Sequence, residues 1–179
     1  MSADGVLPSI LPTKLYRPPI TDDYVPRHRL RERLKQVAQR PLTLVCAPAG
    51  YGKSALLSAW FEQCNCPSAW VSLDENDHDL SSFVSYFLVA LRSAIPSFGD
   101  PLLDVLDSAR LPSVQTFVEI LFTELGLLEE DIFLMVDDYG LITNTAVHEF
   151  ITDLLRHPYP NLHLVLSTRH DPPLPLNEW

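Results

Sequence analysis

The stretch that decides the fold is residues 42–54, which read Leu-Thr-Leu-Val-Cys-Ala-Pro-Ala-Gly-Tyr-Gly-Lys-Ser. An apolar run, Leu42 to Cys46, enters a loop of small residues that ends in Gly52-Lys53-Ser54, and an amphipathic segment follows. This order predicts a strand, a phosphate-binding loop and a helix. Glycines let successive backbone N–H groups turn toward phosphate oxygens, and the helix N-terminus adds partial positive charge.

The loop is close to the phosphate-loop signature G-x-x-x-x-G-K-[ST], with Ala47 in the place of the first glycine. Lys53 would contact the β- and γ-phosphates, and the Ser54 hydroxyl would enter the coordination shell of Mg²⁺. An ordinary glycine-containing turn between a strand and a helix is the alternative interpretation. The residues expected around the phosphates are Pro48, Ala49, Gly50, Tyr51, Gly52, Lys53, Ser54 and Ala55.

The composition is typical of one acidic globular domain. The chain has 179 residues, of which 46% are hydrophobic and 20% charged. Its net charge of −10 argues against binding a nucleic-acid backbone. We find no signal-peptide pattern and no apolar run of membrane-spanning length, and the three cysteines fit reduced thiols. We therefore expect a cytoplasmic protein with neither a membrane nor a nucleic acid as direct partner.

Prolines and hydrophobic periodicity divide the chain into an arm and a domain. Five of the 16 prolines lie in residues 1–26, which predicts an extended amino-terminal arm. Residues 27–179 alternate apolar strands with helical segments, which predicts an α/β domain with a parallel sheet. The predicted strands are residues 42–46, 69–73, 132–136 and 162–166.

Acidic and basic residues follow two of these strands at the edge where a parallel sheet binds its ligands. Asp137 and Asp138 come directly after the apolar run Ile132–Val136. The first carboxylate would hold Mg²⁺ and the second would polarise an attacking water. Arg169 follows the last strand and could contact a γ-phosphate. A turn aspartate and a surface arginine are the alternative readings.

The run from Asp74 to Asp79 is acidic and follows another strand. It lacks the glycine and the distant bidentate glutamate of a calcium loop. We therefore expect a solvated loop in which Asp79 or Ser81 caps the next helix.

Six motifs in order resemble one family. They are Thr13-Lys14-Leu15, Val25-Pro26-Arg27-x-Arg29-Leu30, the segment 44–54, Ala69-Trp-Val-Ser-Leu-Asp74, Val136-Asp-Asp-Tyr139 with Leu141-Ile142, and Thr168-Arg169-x-Asp-Pro-Pro-Leu-Pro-Leu176. Together they resemble the amino-terminal ATPase domain of the MalT-type LuxR-family transcriptional activators, a branch of the STAND signalling ATPases. The resemblance covers about Leu11 to Leu176.

The resemblance implies a P-loop NTPase fold, a three-layer sandwich that binds ATP or ADP with Mg²⁺. Val25 and Arg27 would lie near the adenine, Lys53 and Ser54 would hold the phosphates and Mg²⁺, and Arg169 would sense the γ-phosphate. In the family, ATP and an inducer drive self-association and hydrolysis resets the switch. The family's sensor repeats and DNA-binding helix-turn-helix are expected to be absent from a chain of this length.

The sequence departs from the family at two points. Gly140 stands where relatives often have histidine after Asp-Asp-Tyr. Family sheets have five strands in the order 5-1-4-3-2, whereas we count four, so the domain over residues 27–179 is expected to be truncated at its carboxyl end. Strand 42–46 would then be an exposed edge, which predicts marginal stability or pairing with a partner. The chain would be a fragment or a truncated gene product.

Three functions are therefore compared. The first is an ATP-binding switch module of a MalT-like regulator, at most a weak ATPase. The second is a truncated remnant that acts only in protein association, which Ala47 and the missing strand favour. The third is a small P-loop kinase, which would need an acceptor site and an arginine-rich lid, and we take the arginines to be too scattered for a lid.

Overall fold

A computed structural model describes residues 10–102 and 114–176 of the chain. Its centre is a sheet of four parallel strands in the order β1-β4-β3-β2. The strands are β1 (Leu42–Cys46), β2 (Ser68–Ser72), β3 (Ile132–Asp137) and β4 (Leu162–Thr168). The predicted α/β fold with a parallel sheet is confirmed, and the four strand predictions are correct to within two residues at each end.

Five helices of the described residues surround the sheet. They are α1 (His28–Leu34), α2 (Lys53–Phe61), α3 (Leu80–Ala94), α4 (Val114–Gly126) and α5 (Thr145–Arg156). Short 3-10 turns cover Pro12–Leu15, Val37–Gln39 and Tyr139–Leu141. Helix α1 therefore ends at Leu34, and a separate 3-10 turn follows it at Val37–Gln39. None of the helices within the described residues is long and apolar enough to cross a membrane.

Alternation along the strands sorts the core into two layers. Leu134 and Leu164 point to one face, where they pack with α3, α4 and α5. Met135 and Val165 point to the other face, where they pack with α1 and α2. Both central strands are buried along their whole length, which explains their continuous apolar sequence. The fold is a three-layer sandwich, as predicted.

Strand β1 is an edge of this sheet. It pairs with β4 on one side, and no strand of the described residues pairs with its other side. Its residues are half-buried up to Val45, and Cys46 is exposed. The expectation that this strand is an exposed edge is therefore confirmed.

The amino-terminal arm packs against the domain. Residues Pro12–Leu15 form a 3-10 turn beside β2, and Ile10 and Leu15 pack against the main core cluster. Farther along, Arg17 donates a hydrogen bond to the Ser58 carbonyl of α2, at 3.0 Å. The arm is thus not extended throughout. The division at residue 26 remains a prediction.

Helix α2 differs from the expected helix with one buried stripe. Residues Leu56 to Phe61 are all buried, because the sheet covers one side and the arm reaches Ser58 on another. Ser58 donates a hydrogen bond to the Pro18 carbonyl. Helix α2, which begins with Lys53, is therefore in contact with the sheet on one side and with the arm on another.

The loop after β2 is not the solvated loop that we expected. Asp79 does cap α3, accepting from the backbone N–H groups of Ser81 and Ser82. Asp77, however, is only 3% exposed, and its carboxylate binds the Lys14 ammonium of the arm. The partner of this carboxylate is therefore a lysine, and no group of three or more His, Cys, Asp or Glu side chains that could hold a metal occurs among the described residues.

Candidate functional site

The phosphate loop has a backbone shape that only glycine adopts easily. Gly50 and Gly52 have φ values of 79° and 73°, in the left-handed region that side chains disfavour. Gly52 is the residue before α2, so the turn at Gly52 passes directly into the first helical turn with Lys53, Ser54 and Ala55. The predicted strand, loop and helix are all present in the predicted order.

Lys53 is a buried cation without an acidic partner. It is 9% exposed, and its ammonium donates to the Ala47 carbonyl at 2.9 Å and to the Pro48 carbonyl at 3.4 Å. Within the described residues no carboxylate lies in ion-pair distance of it. A buried charge is costly unless it is paired, so this position favours an anionic ligand in the loop.

The end of strand β4 connects the phosphate loop to the acidic pair. The Thr168 carbonyl accepts a hydrogen bond from the Ala47 N–H, at 3.2 Å. One residue earlier, the Ser167 hydroxyl accepts from the Asp138 N–H, at 3.0 Å, and donates to Asp137 Oδ1. Although β1 and β3 are not neighbours, β4 lies between them and binds both motifs. The predicted phosphate loop and acidic pair therefore lie at one end of the sheet.

Asp137 and Asp138 have different surroundings. Asp137 is buried, and the Ser167 hydroxyl and the Asp138 N–H both donate to its Oδ1. In the described chain no hydrogen bond engages its Oδ2, which leaves that oxygen free to be a ligand. Asp138 is half-buried and has φ 56°, the one non-glycine residue with positive φ in the described part. Its carboxylate lies 3.8 Å from Arg169 Nε.

Arg169 is therefore brought to the acidic pair, but its described partner is a carboxylate. Both side chains of this ion pair are substantially exposed, at 49% for Arg169 and 37% for Asp138. Exposed ion pairs of this kind contribute little and exchange easily. Arg169 is thus near the site and free to change partners.

A cavity of about 310 Å³ lies beside the phosphate loop, between α1 and strand β1. Arg27, Tyr51, Gly52 and Lys53 line it, together with apolar side chains that include Leu30. This volume is at the small end of the range for ligand cavities. Val25 is 75% exposed and does not line the cavity. Of the two residues predicted near an adenine, the structure thus brings Arg27 to the loop and leaves Val25 in solvent.

Comparison with known proteins identifies similar transcriptional regulators. No protein-family model matches the chain. It is 36% identical over 165 residues to the HTH-type transcriptional regulator MalT of Yersinia enterocolitica serotype O:8. It is 37% identical over 165 residues to the MalT regulator of Serratia proteamaculans. The chain is similar to MalT regulators. Each alignment covers 92% of this chain and 18% of the regulator, so the chain spans about a fifth of these relatives.

Solved structures agree on the fold. Cdc6p from Pyrobaculum aerophilum matches with a TM-score of 0.57 at 16% identity, over 85% of this chain and 42% of that chain. A structure of Drosophila ORC bound to AT-rich DNA and Cdc6 matches with a TM-score of 0.52 at 17% identity, over 80% and 45%. At these identities the likeness concerns the fold alone. The resemblance to the MalT-type regulators, which the sequence motifs indicated, is confirmed.

Gly140 directly follows the acidic pair and Tyr139. A Cβ atom at this position would come within 2.6 Å of the Thr168 hydroxyl oxygen. Thr168 is buried, and its hydroxyl donates to the His170 carbonyl at 2.6 Å. A side chain at residue 140 would therefore displace the end of β4. In this chain the glycine permits β4 to approach the acidic pair closely.

Three features of the site were not predicted from the sequence, namely Ser167, Arg33 and a basic cluster. Ser167 holds the acidic pair, and Arg33 lines the cavity with Arg27. The arginines are also not scattered, because residues 27–40 contain six of the chain's 13 lysines and arginines. Counting charge along the chain would have found this cluster. Much of it lies on α1, which packs against α2.

Proposed function

We propose that this chain is an ATP-binding switch module of a MalT-like transcriptional regulator, with slow hydrolysis at most. The observation that carries the proposal is Lys53, a buried ammonium beside two positive-φ glycines and without an acidic partner among the described residues. Because such a cation needs an anion nearby, a nucleotide's phosphates suit this loop.

The residues around the loop fit Mg²⁺ and a nucleotide. Oxygen donors suit Mg²⁺, and the chain offers the Ser54 hydroxyl in the first turn of α2 and the Asp137 carboxylate, oriented by Ser167. When bound, Mg²⁺ would neutralise charge on the β- and γ-phosphates. The cavity lined by Arg27 and Leu30 is suited to the base and sugar, with Val25 at its exposed rim as a weaker candidate.

Asp138 and Arg169 are proposed to act in hydrolysis. Asp138 would accept a proton from an attacking water, and Arg169 would exchange its exposed ion pair for a contact with the γ-phosphate. The ion pair offers a reason for slow turnover, because Asp138 and Arg169 are not available to the water and the γ-phosphate while they are paired with each other. Arg169 would thereby release the Asp138 carboxylate when it contacts the phosphate.

The wider role is proposed from the relatives. They are named as HTH-type transcriptional regulators, so we propose a cytoplasmic location and nucleotide-controlled self-association for this module. We also propose that the module itself does not contact DNA, since its net charge is −10. A remnant acting only in protein association is the second candidate, and the exposed edge of β1 favours it.

Thermal unfolding with and without Mg-ATP, Mg-ADP and Mg-GTP tests the proposal. A nucleotide at a hundredfold excess over its dissociation constant should stabilise the chain by about 2.7 kcal/mol. We expect stabilisation by adenine nucleotides and its loss in Lys53→Ala. The matched control is Lys35→Ala, which removes an exposed lysine on the α1 side and should keep the shift. A folded protein that shows no shift with any nucleotide would support the remnant instead.

A further inference from the structure

A buried ion cluster joins the arm to the loop after β2. The Lys14 ammonium donates to both oxygens of the Asp77 carboxylate, at 2.8 and 2.7 Å, and lies 2.8 Å from Asp74 Oδ2. The side chains of Lys14 and Asp77 are only 11% and 4% exposed. The ammonium also lies 5.1 Å from the centroid of the Tyr86 ring. We call Lys14, Asp74 and Asp77 the Lys14 clamp.

The contacts of the Lys14 clamp favour the charged forms of Lys14 and Asp74. Burial by itself would lower the pKa of Lys14, but the hydrogen bonds that its ammonium donates to Asp74 and Asp77 outweigh burial, and the pKa is raised. The hydrogen bond from Lys14 in turn lowers the pKa of Asp74. Removing only one partner would leave a buried charge unpaired, which is strongly unfavourable.

The arm continues from the clamp around the β2 edge of the sheet. Before the clamp, the Leu11 N–H donates to the Tyr86 hydroxyl of α3, at 3.1 Å. After it, Arg17 and Pro18 bind Ser58 of α2. Since α3 and α2 lie on opposite faces of the sheet, the arm passes from one face to the other beside β2.

The arm then leads to the phosphate loop. Nine residues after Pro18, the chain reaches Arg27, which lines the cavity with Gly52 and Lys53. The Arg27 Nη2 atom lies 3.8 Å from the position that a Cβ of Gly52 would take. In the described part of the chain no acidic side chain pairs with Arg27. Its carbonyl accepts from the Leu30 and Arg31 N–H groups at the start of α1, so the arm delivers the chain directly to the helix that holds Arg27.

We propose that the Lys14 clamp is a positioning element for nucleotide binding, which fixes the arm so that Arg27 stands in the cavity before the nucleotide arrives. Lys14 itself contacts no nucleotide and acts through Arg27. The physical gain is preorganisation, because an arm that is already ordered loses less conformational entropy on binding. This inference rests on the proposed function of the phosphate loop.

A double-mutant cycle tests the inference. The first change is Lys14→Gln with Asp77→Asn, which removes both charges of the buried pair so that neither is left alone. The second is Arg27→Ala. The dissociation constant of N-methylanthraniloyl-ADP with Mg²⁺ is measured by fluorescence titration, well below the unfolding temperature of each variant. Each change alone should raise it about tenfold, and the combination should raise it no further, because both act through one contact.

Two matched variants separate positioning from simple stability. Lys14→Arg keeps a cation in the clamp and should retain most of the affinity. Arg92→Gln removes another ion pair, with Asp100 at 2.6 Å, together with a hydrogen bond to the Phe98 carbonyl. It should lower the unfolding temperature and leave the dissociation constant unchanged.

The outcomes are distinct. An unchanged dissociation constant in the neutral clamp variant, or full additivity with Arg27→Ala, would overturn the inference while the wild-type chain still binds nucleotide. A loss of affinity in Arg92→Gln as large as in the clamp variant would also overturn it, since general destabilisation would then explain both. Failure of the folded wild-type chain to bind would instead refute the proposed function.

Discussion

Asp138 combines a proposed chemical role with an unfavourable backbone conformation. Its φ of 56° places a Cβ-bearing residue in the left-handed region, while its N–H is fixed by Ser167 and Asp137. Asp138→Gly and Asp138→Ala both remove the carboxylate, so their difference isolates the backbone. We expect the alanine variant to be less stable than the glycine variant by about 1 kcal/mol, measured by urea unfolding. Equal stabilities would contradict a strained backbone.

A second effect at the residue scale concerns Gly140. In Gly140→Ala the new Cβ would lie 2.6 Å from the Thr168 hydroxyl oxygen, and overpacking of this kind typically costs about 1–3 kcal/mol. Thr168→Ala removes the obstructing oxygen. Unfolding free energies of the two single variants and the double variant should therefore be non-additive, with the double variant more stable than the sum predicts. Additive losses would show that the close approach is not what makes glycine necessary.

At the scale of elements, a buried pair holds the 3-10 turn after β3 to helix α5. The Tyr139 hydroxyl and His148 Nδ1 are 2.7 Å apart. Burial raises the pKa of Tyr139, which keeps its hydroxyl protonated. Burial lowers the pKa of His148, against the opposing effect of a hydrogen bond to the Ile142 backbone. The folded protein therefore holds His148 neutral.

This pair predicts a pH dependence. Because the folded pKa of His148 is lower than its ordinary 6.5, the unfolded chain binds more protons once the pH falls below about 6.5. The stability that neutral His148 provides is present above that pH and is lost as the pH falls. Urea midpoints at pH 7 and pH 5 should differ less in His148→Gln than in the wild type. His157→Gln, at an exposed histidine just after α5, is the control and should leave the difference unchanged.

At the scale of the whole molecule, the two edges of the sheet differ. The Ala47 N–H donates to the Thr168 carbonyl, and the Pro41 carbonyl accepts from the Leu164 N–H, so the odd-numbered residues of β1 direct their backbone groups toward β4. The N–H groups of Leu44 and Cys46 therefore point away from β4. Hydrogen exchange should therefore be slowest in β3 and β4 and nearly unprotected at Leu44 and Cys46. Protection of these two amides to the level of Val45 would mean that the edge is covered in solution.

The parts of this fold that depend on local sequence pattern could be predicted from the sequence. Continuous apolar runs identified β3 and β4, because strands buried on both faces have no polar side. The phosphate loop was identified because a left-handed turn needs Gly50 and Gly52. Contacts between distant segments were missed. Asp77 was expected in solvent because its partner Lys14 is 63 residues away in the sequence. Ser167 was overlooked because its partners, Asp137 and Asp138, lie at the end of a different strand.

The path of the arm around β2 has a consequence for how sheets of this chain could join. Among the described residues, the arm lies beside β2 and no strand pairs with the outer side of β1. Two molecules that paired through β1 would therefore each cover the other's unpaired edge. Assembly through the sheet would then stop at a closed pair, without forming a fibre. If the arm were released from β2, both edges of the sheet would be open, and each molecule could then pair with two others.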